Sequence, residues 1–588
     1  MLKFSSPSSA QLRGLVCAGL LLTSALALRA ADPKKTEPGA ENSVLLTAMK
    51  SELNRAVTDL ARGAKADQPA PYFISYSAED TTSVMLSAQS GALITNRTSH
   101  YRLADIQVRV GAPALDNTHG THRGAAVKTV RLPLTEDKLA LESALWVTTN
   151  AGYATALDNY TRVKTEQDVR AKEEDNSPDF SNEKPEVSVG KLAVVPKVDT
   201  VEWQKRIRAL SQVLRQYPDV YLDQVQLVVA SGTGFYISSE GAEVVYPQTM
   251  TRLVVVAISR AEDGMDLYRV ATFESEKPEG LPSMEKITSD VKALGESLEA
   301  LRKAPLTTPF DGPAILSGRA AAVFFHEVLG HRLEGQRQRG DEEGQTFTKQ
   351  LGKPILPDFL SVADDPTMDY YGSQFLSGQY PFDDEGVKSQ RVALVEKGVL
   401  KNFLMSRLPI TGFSQSNGHG RAQSGHVPAG RQGNLIVTST KTVPEAELRK
   451  QLIEEAKKQG KPFGLYFEDI SSGFAVTTRN SPQAFSVIPL VVYRVYVDGR
   501  PDELVRGVSI VGTPMAALNR IEVTGDRNEV FNGECGAESG SIPVSAVAPA
   551  MLVSEIETQR QEKGISRPPI LPRPGAETAA AASQKEAQ

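Results

Sequence analysis

The chain has 588 residues, of which 40% are hydrophobic and 23% charged, with a formal net charge of −6 at pH 7. That balance is ordinary for a globular protein and lacks the basic footprint of nucleic-acid binding, so no nucleic-acid partner is expected. The length exceeds what one hydrophobic core sustains and implies two domains or three.

In chain order, residues 1–30 read as a secretory signal peptide, with Lys3 and Arg13 in a polar head, an apolar run from Leu15 to Leu28, and small residues at Ala25, Ala27 and Ala30. The apolar run is too short to span a bilayer, and no later stretch approaches about 18 apolar residues. The expectation is an exported, soluble protein, periplasmic or extracellular, with no integral membrane segment. Val16 before Cys17 occupies a position where a lipoprotein signal wants a small residue, so no lipid anchor is expected.

Residues 31–43 form a flexible leader, and 44–304 an N-terminal α+β domain. Leu46, Met49, Leu53, Val57 and Leu60 recur at helical spacing, with Gly63 as the stop. Alternation through Tyr72, Ile74 and Tyr76, then Ile106, Val108 and Val110, predicts strands. The loop from Asp116 to His122 reads as a solvated turn rather than a metal site, since it has no carboxylate base beside it and its Gly and Asn favour turns. An interrupted helix over 135–160 and an exposed, charge-rich insertion over 164–186 follow. Trp203, Ile207, Leu210 and Leu214 mark a helix ended by Pro218, residues 224–273 alternate as antiparallel strands, and 284–301 is helical. Pro305 and Pro309 mark the boundary with a C-terminal domain, 305–558, ahead of a disordered tail, 559–588.

The C-terminal domain opens on Phe324-Phe325-His326-Glu327-Val328-Leu329-Gly330-His331-Arg332-Leu333-Glu334-Gly335, preceded by the helix formers Ala320, Ala321 and Ala322. Two imidazoles around a carboxylate suit a metal ion that polarises water beside a base that takes its proton. The histidines are five residues apart, which on a regular helix turns them about 140° from each other. Both can reach one ion only if the helix bends or unwinds, and Gly330 is where a π-type turn or local unwinding is least costly. Taken alone, the pattern reads equally as a buried helix with two hydrogen-bonded histidines.

The sequence has two cysteines, and removal of the leader leaves Cys535 alone. It cannot form an internal disulfide, and is a free thiol, an intermolecular link or a metal ligand. Placed in a glycine-flanked turn, Asn532-Gly533-Glu534-Cys535-Gly536, its thiolate would complete a His/His/Cys set with a fourth position open, the catalytic pattern. An inert buried thiol is the weaker alternative. The rest of this half is strand-like, with a hairpin turn at Lys397-Gly398 and a long strand over 486–496, in which Pro489 marks an edge or a bulge.

Four blocks in order resemble the TldD/PmbA family of metallopeptidases, whose TldD branch carries His-Glu-x-x-x-His and a distant cysteine. They are His326 to Gly335; Phe382-Asp383-Asp384-Glu385-Gly386 with Gln390-Arg391 and Gly398-Val399-Leu400; Asn417-Gly418-His419-Gly420-Arg421 through His426 and Pro428; and Leu504-Val505-Arg506-Gly507 to Gly512, leading to Cys535-Gly536. The resemblance is close over 312–555 and general over 45–300. It implies an α+β fold: a mixed α/β N-terminal domain and a C-terminal domain dominated by antiparallel β-sheet carrying the metal-site helix. It further implies one Zn2+ per chain held by His326, His331 and Cys535, with Glu327 as general base. Glu334, in the family's Leu-Glu-Gly segment, either orients a ligand or is a surface carboxylate or helix-end partner. His419 or His426 either stabilises a developing oxyanion or is a solvated loop histidine.

The implied activity is zinc-dependent hydrolysis of unfolded or extended peptides, recognised by main-chain pairing with a sheet edge. The implied assembly is a homodimer, or a heterodimer with a sister subunit lacking the metal motif. The alternatives are a non-catalytic peptide-binding subunit with a structural metal, and an exported metal-dependent amidase acting on a cell-envelope substrate. Export and the insertion at 164–186 depart from the family pattern.

Overall fold

The computed structural model describes residues 39–561, apart from 66–67, 168–174, 340–343 and 480–483, together with 574. The expected signal peptide, the leader up to residue 38 and nearly all of the expected tail lie outside the described residues. Among those described, no helix is long and apolar enough to cross a membrane.

The described residues build two large sheets, one of eight strands and one of twelve, and two small two-stranded ones. In the first, the long strands Pro71–Gln89, Ala92–Ala112, Leu222–Ser238, Glu243–Arg260 and Asp266–Ser275 pair antiparallel. Ser90 and Gly91, at φ 49° and 77°, turn the first hairpin in the left-handed geometry that matches strand twist. Side-chain alternation along the first strand separates its faces. Ile74, Tyr76 and Ala78 pack under the helices Val44–Arg62 and Lys138–Gln167. Val84, Leu86 and Ala88 pack under Thr200–Val213 and Met284–Lys303. Ser75, Ser77 and Glu79 point the other way and line a cavity of about 40 Å3 shared with Asp384 and His426 of the C-terminal half.

Several expectations for this half change. The leader is ordered at its end, where Gly39 pairs with Lys191, Ala40 is fully buried and Ser43 caps the first helix. The helix over Lys138–Gln167 is uninterrupted; Gly152 packs close to Val108, with space for a Cβ only 3.3 Å from its Cγ2, so close packing accompanies the helix former it lacks. Asp116, Asn117 and Thr118 are buried rather than solvated, because Arg109 supplies a charge partner: its Nη1 donates to Asp116 Oδ2 at 2.7 Å and to Thr118 Oγ1 at 3.1 Å. Within the expected insertion, Asp179, Phe180 and Ser181 are buried. The Phe180 ring lies between the guanidinium groups of Arg109 at 3.8 Å and Arg407 at 3.9 Å.

The second sheet centres on the hairpin Ile521–Ala537 and Gly540–Arg560. Most of its pairings are antiparallel, but Phe463–Ala475 runs parallel to Phe310–Leu316, and Asn434–Ser439 runs parallel to Gly540–Arg560. The last strand continues to Arg560, past the expected start of the tail. Lys397 and Gly398, at φ 45° and 79°, form the expected tight turn. Pro489 pairs within Phe485–Tyr496 at a run of register shifts opposite Asp469 and Ile470, so it sits at a bulge. The helix Gly318–Val328 lies under this sheet with Ala320, Val323, Phe324 and Phe325 buried in its core. Ser317 caps it, accepting from Ala320 N–H at 3.1 Å.

Candidate metal centre

The helix bearing His326 and Glu327 stops at Val328, and a 3-10 turn over Gly330–Leu333 follows. Local unwinding, rather than a π-turn, thus brings the two histidines together, with ring centroids 5.0 Å apart. Gly330 at the junction lets Gln432 approach closely: a Cβ there would lie 1.9 Å from Gln432 Oε1 and displace that side chain. Cys535 reaches the same point from the hairpin. It is a strand residue opposite Ile542, not part of a turn as the local glycines predict. Its Sγ lies 3.3 Å from His326 Nε2 and 3.4 Å from His331 Nε2.

The three ligand atoms fall within 4.8 Å of one another, and the residues are only 4%, 7% and 6% exposed for His326, His331 and Cys535. Burial opposes charge on Cys535, but His331 and His326 outweigh it and hold the thiol well below its ordinary range. Burial likewise opposes a proton on His331, yet Cys535 and Glu334 raise its affinity for one. Two imidazoles and a thiol held towards its thiolate form match zinc's preferred donors.

Glu327 Oε2 stands 3.9 Å from His331 Nε2, and its side chain is 12% exposed. The carboxylate has room because Gly473 faces it; a Cβ there would meet Glu327 Cγ at 2.4 Å. Glu334 is fully buried, with Oε1 3.0 Å from His331 Nδ1 and Oε2 accepting from Arg337 Nε at 2.7 Å. Burial opposes its charge, but His331 and Arg337 outweigh this and hold its pKa at about 2. It is therefore the partner of a histidine and not a surface carboxylate.

The structure does not bring the other two histidines to this group. His419 is fully buried, its Nε2 3.2 Å from Asp364 Oδ1 and its Nδ1 3.0 Å from the Asn417 carbonyl, so both ring nitrogens are committed. That removes it as an oxyanion donor and also as a solvated loop residue. His426 is exposed at the rim of the cavity between the halves. Three residues escape sequence reasoning. Arg332, 1% exposed, donates to the carbonyls of Glu327 and Val328 at 3.1 Å each and to that of Ala484 at 3.0 Å, closing the helix end. Gln432 Nε2 donates to the His326 carbonyl at 3.3 Å. Arg431 donates to the Cys535 carbonyl at 2.7 Å. The one signal for the last two is their place between Gly430 and Gly433, where backbone can approach closely.

The sequence profile of the PmbA/TldA metallopeptidase C-terminal domain matches residues 310–560. A metalloprotease TldD homolog of Haemophilus influenzae is 26% identical over 283 residues, an alignment covering 46% of this chain and 54% of that protein. A zinc metalloprotease TldD homolog of Saccharolobus solfataricus is 26% identical over 331 residues, covering 55% of this chain and 68% of its own length. The chain thus spans about half to two thirds of these relatives. The solved structure of TldE from Thermococcus kodakarensis shares the fold, with a TM-score of 0.56 at 13% identity over 87% of this chain and 100% of that one.

Proposed function

Through residues 310–560 the chain belongs to the TldD/PmbA family of metallopeptidases, and on that premise we propose that it is a zinc-dependent peptidase acting on unfolded or extended peptides. The observation that carries the proposal is the convergence of His326, His331 and Cys535 with the Glu327 carboxylate 3.9 Å from a ligand nitrogen. His326, His331 and Cys535 would hold the ion. Zinc, when bound, supplies a Lewis acid and makes water acidic near neutral pH. Glu327 accepts the proton from the attacking water on Oε2 and returns it to the leaving amine. Its partial exposure lets a substrate reach it, while the burial of the ligands excludes bulk water from their far side. Glu334 holds His331 Nδ1 and so fixes which ring nitrogen is free for the ion.

The extended backbone of Phe463–Ala475 passes directly beside Glu327 at Gly473, which supports recognition of a peptide by main-chain pairing with little sequence preference. Export through the 1–30 leader and assembly as a dimer, with a second copy or a sister subunit, belong to the same proposal. Amino-terminal sequencing of the mature protein and its mass in solution test those two. The decisive experiment measures zinc per chain and cleavage of an unstructured peptide for wild type and Cys535→Ser. Wild type is expected to carry about one zinc and to cleave, and the variant to lose both. A variant that keeps its metal and its activity would sink the three-ligand reading.

A further inference from the structure

The histidines and the cysteine arrive on separate parts of the chain, so the gap between them depends on whatever spans those parts. Arg431 is fully buried. Its Nη2 donates to the Cys535 carbonyl at 2.7 Å, and its Nη1 to Ser539 Oγ at 2.7 Å and the Gly540 carbonyl at 3.2 Å, all on the hairpin that carries the thiolate. Its Nε makes no hydrogen bond but lies within ion-pair distance of Glu334 Oε1, at 3.5 Å. That same oxygen is 3.0 Å from His331 Nδ1. The next residue, Gln432, holds the His326 carbonyl at 3.3 Å. Residues 431 and 432 therefore touch the supports of all three ligands.

We propose that Arg431 is a positioning residue that sets the spacing between the Cys535 thiolate and the two imidazoles, acting through the Cys535 carbonyl on one side and Glu334 on the other. This role rests on the metal-centre reading above. The geometry requires arginine: a planar fork donates in several fixed directions at once, whereas a lysine ammonium is a point charge on a flexible stem. Arg337 holds the other oxygen of Glu334 at 2.7 Å, so replacing Arg431 leaves that carboxylate with a counter-charge and removes chiefly the link to the hairpin.

The test uses the full mature chain as wild type, Arg431→Met and Arg431→Lys. Zinc affinity is measured by competition with a chelator, and the cobalt(II)-substituted proteins are compared by absorption, which reports thiolate coordination directly. Arg431→Met is expected to bind zinc 10 to 100-fold more weakly and to show an altered thiolate-to-cobalt band, with native far-UV circular dichroism; Arg431→Lys recovers part of the affinity. Wild-type zinc affinity and an unaltered cobalt spectrum in a folded Arg431→Met protein overturn the role. If the methionine variant fails to fold, the same two measurements on Arg431→Lys decide, and values equal to wild type overturn it. Failure of wild type itself to bind zinc overturns the metal centre, and this role with it.

Discussion

In the proposed mechanism Glu327 takes the base's part, because its carboxylate lies near the three convergent groups without being one of them. Glu327→Gln is expected to keep its zinc and to lose about 10²- to 10⁴-fold in turnover; metal analysis alongside peptide cleavage checks both, and loss of the metal would instead make Glu327 a ligand. A second carboxylate offers a pH signature. Glu79 is solvent-exposed where it lines the cavity between the halves. Protein packed around its carboxyl, reinforced by Asp384 and Asp105, pushes its pKa from 4.5 up to about 7. The folded protein thus holds this proton more tightly than the unfolded chain, so the contribution is complete below pH 4.5 and is lost as pH rises through about 7. Melting temperature should fall across that window, and Glu79→Gln should flatten the fall; an identical slope in the variant would refute the raised pKa. The three convergent residues were legible one at a time, as a motif and an unpaired cysteine. Arg431 and Gln432 were not, because their bonds to Cys535 and His326 span 104 and 106 residues, and no local pattern encodes a partner that far away.

At the scale of elements, the site is a helix end, a 3-10 turn and two strands whose close approach depends on missing side chains. Gly473→Ala places a methyl 2.4 Å from Glu327 Cγ, so the carboxylate must move while the ligands stay. The variant is expected to retain zinc and stability to within about 1–3 kcal/mol and to lose most of its turnover, by the same paired assays; full activity would show that Glu327 has freedom to relocate. The helix break was readable because five-residue spacing is incompatible with a regular helix and Gly330 is the weak point. The loop at Asp116 misled for the opposite reason. Asp, Asn and Thr look solvated in sequence, and only the fold shows that Arg109, 4% exposed on the preceding strand, neutralises them inside. The cysteine's glycine neighbours misled similarly, since they serve a strand near its hairpin end rather than a turn.

Across the whole molecule, the two halves are joined by polar and ionic contacts: Arg407 to Glu240 at 2.8 Å, Arg506 to Asp263 at 3.0 Å, and Tyr268 to Ser471 at 2.8 Å. Phe180 is an apolar member of this joint, 2% exposed between two guanidinium groups, and Phe382 packs across it against Tyr236 and Val244. Phe180→Ala should destabilise the protein by about 3–5 kcal/mol, seen as a lower urea midpoint; an unchanged midpoint would mean the clamp is idle. Its stretch looked like an exposed insertion because charge density there outweighs one phenylalanine, and the arginines that flank the ring come from residues 109 and 407. The separation of the ligands along the chain has a further consequence for assembly. His326 and His331 are held by one short segment, but the thiolate arrives 209 residues after His326, once the final hairpin has docked into the sheet. A chain still lacking that hairpin would offer an ion two imidazoles and little affinity, so on the proposed zinc reading tight capture of the ion would mark the completion of folding and would then draw the equilibrium towards the finished state.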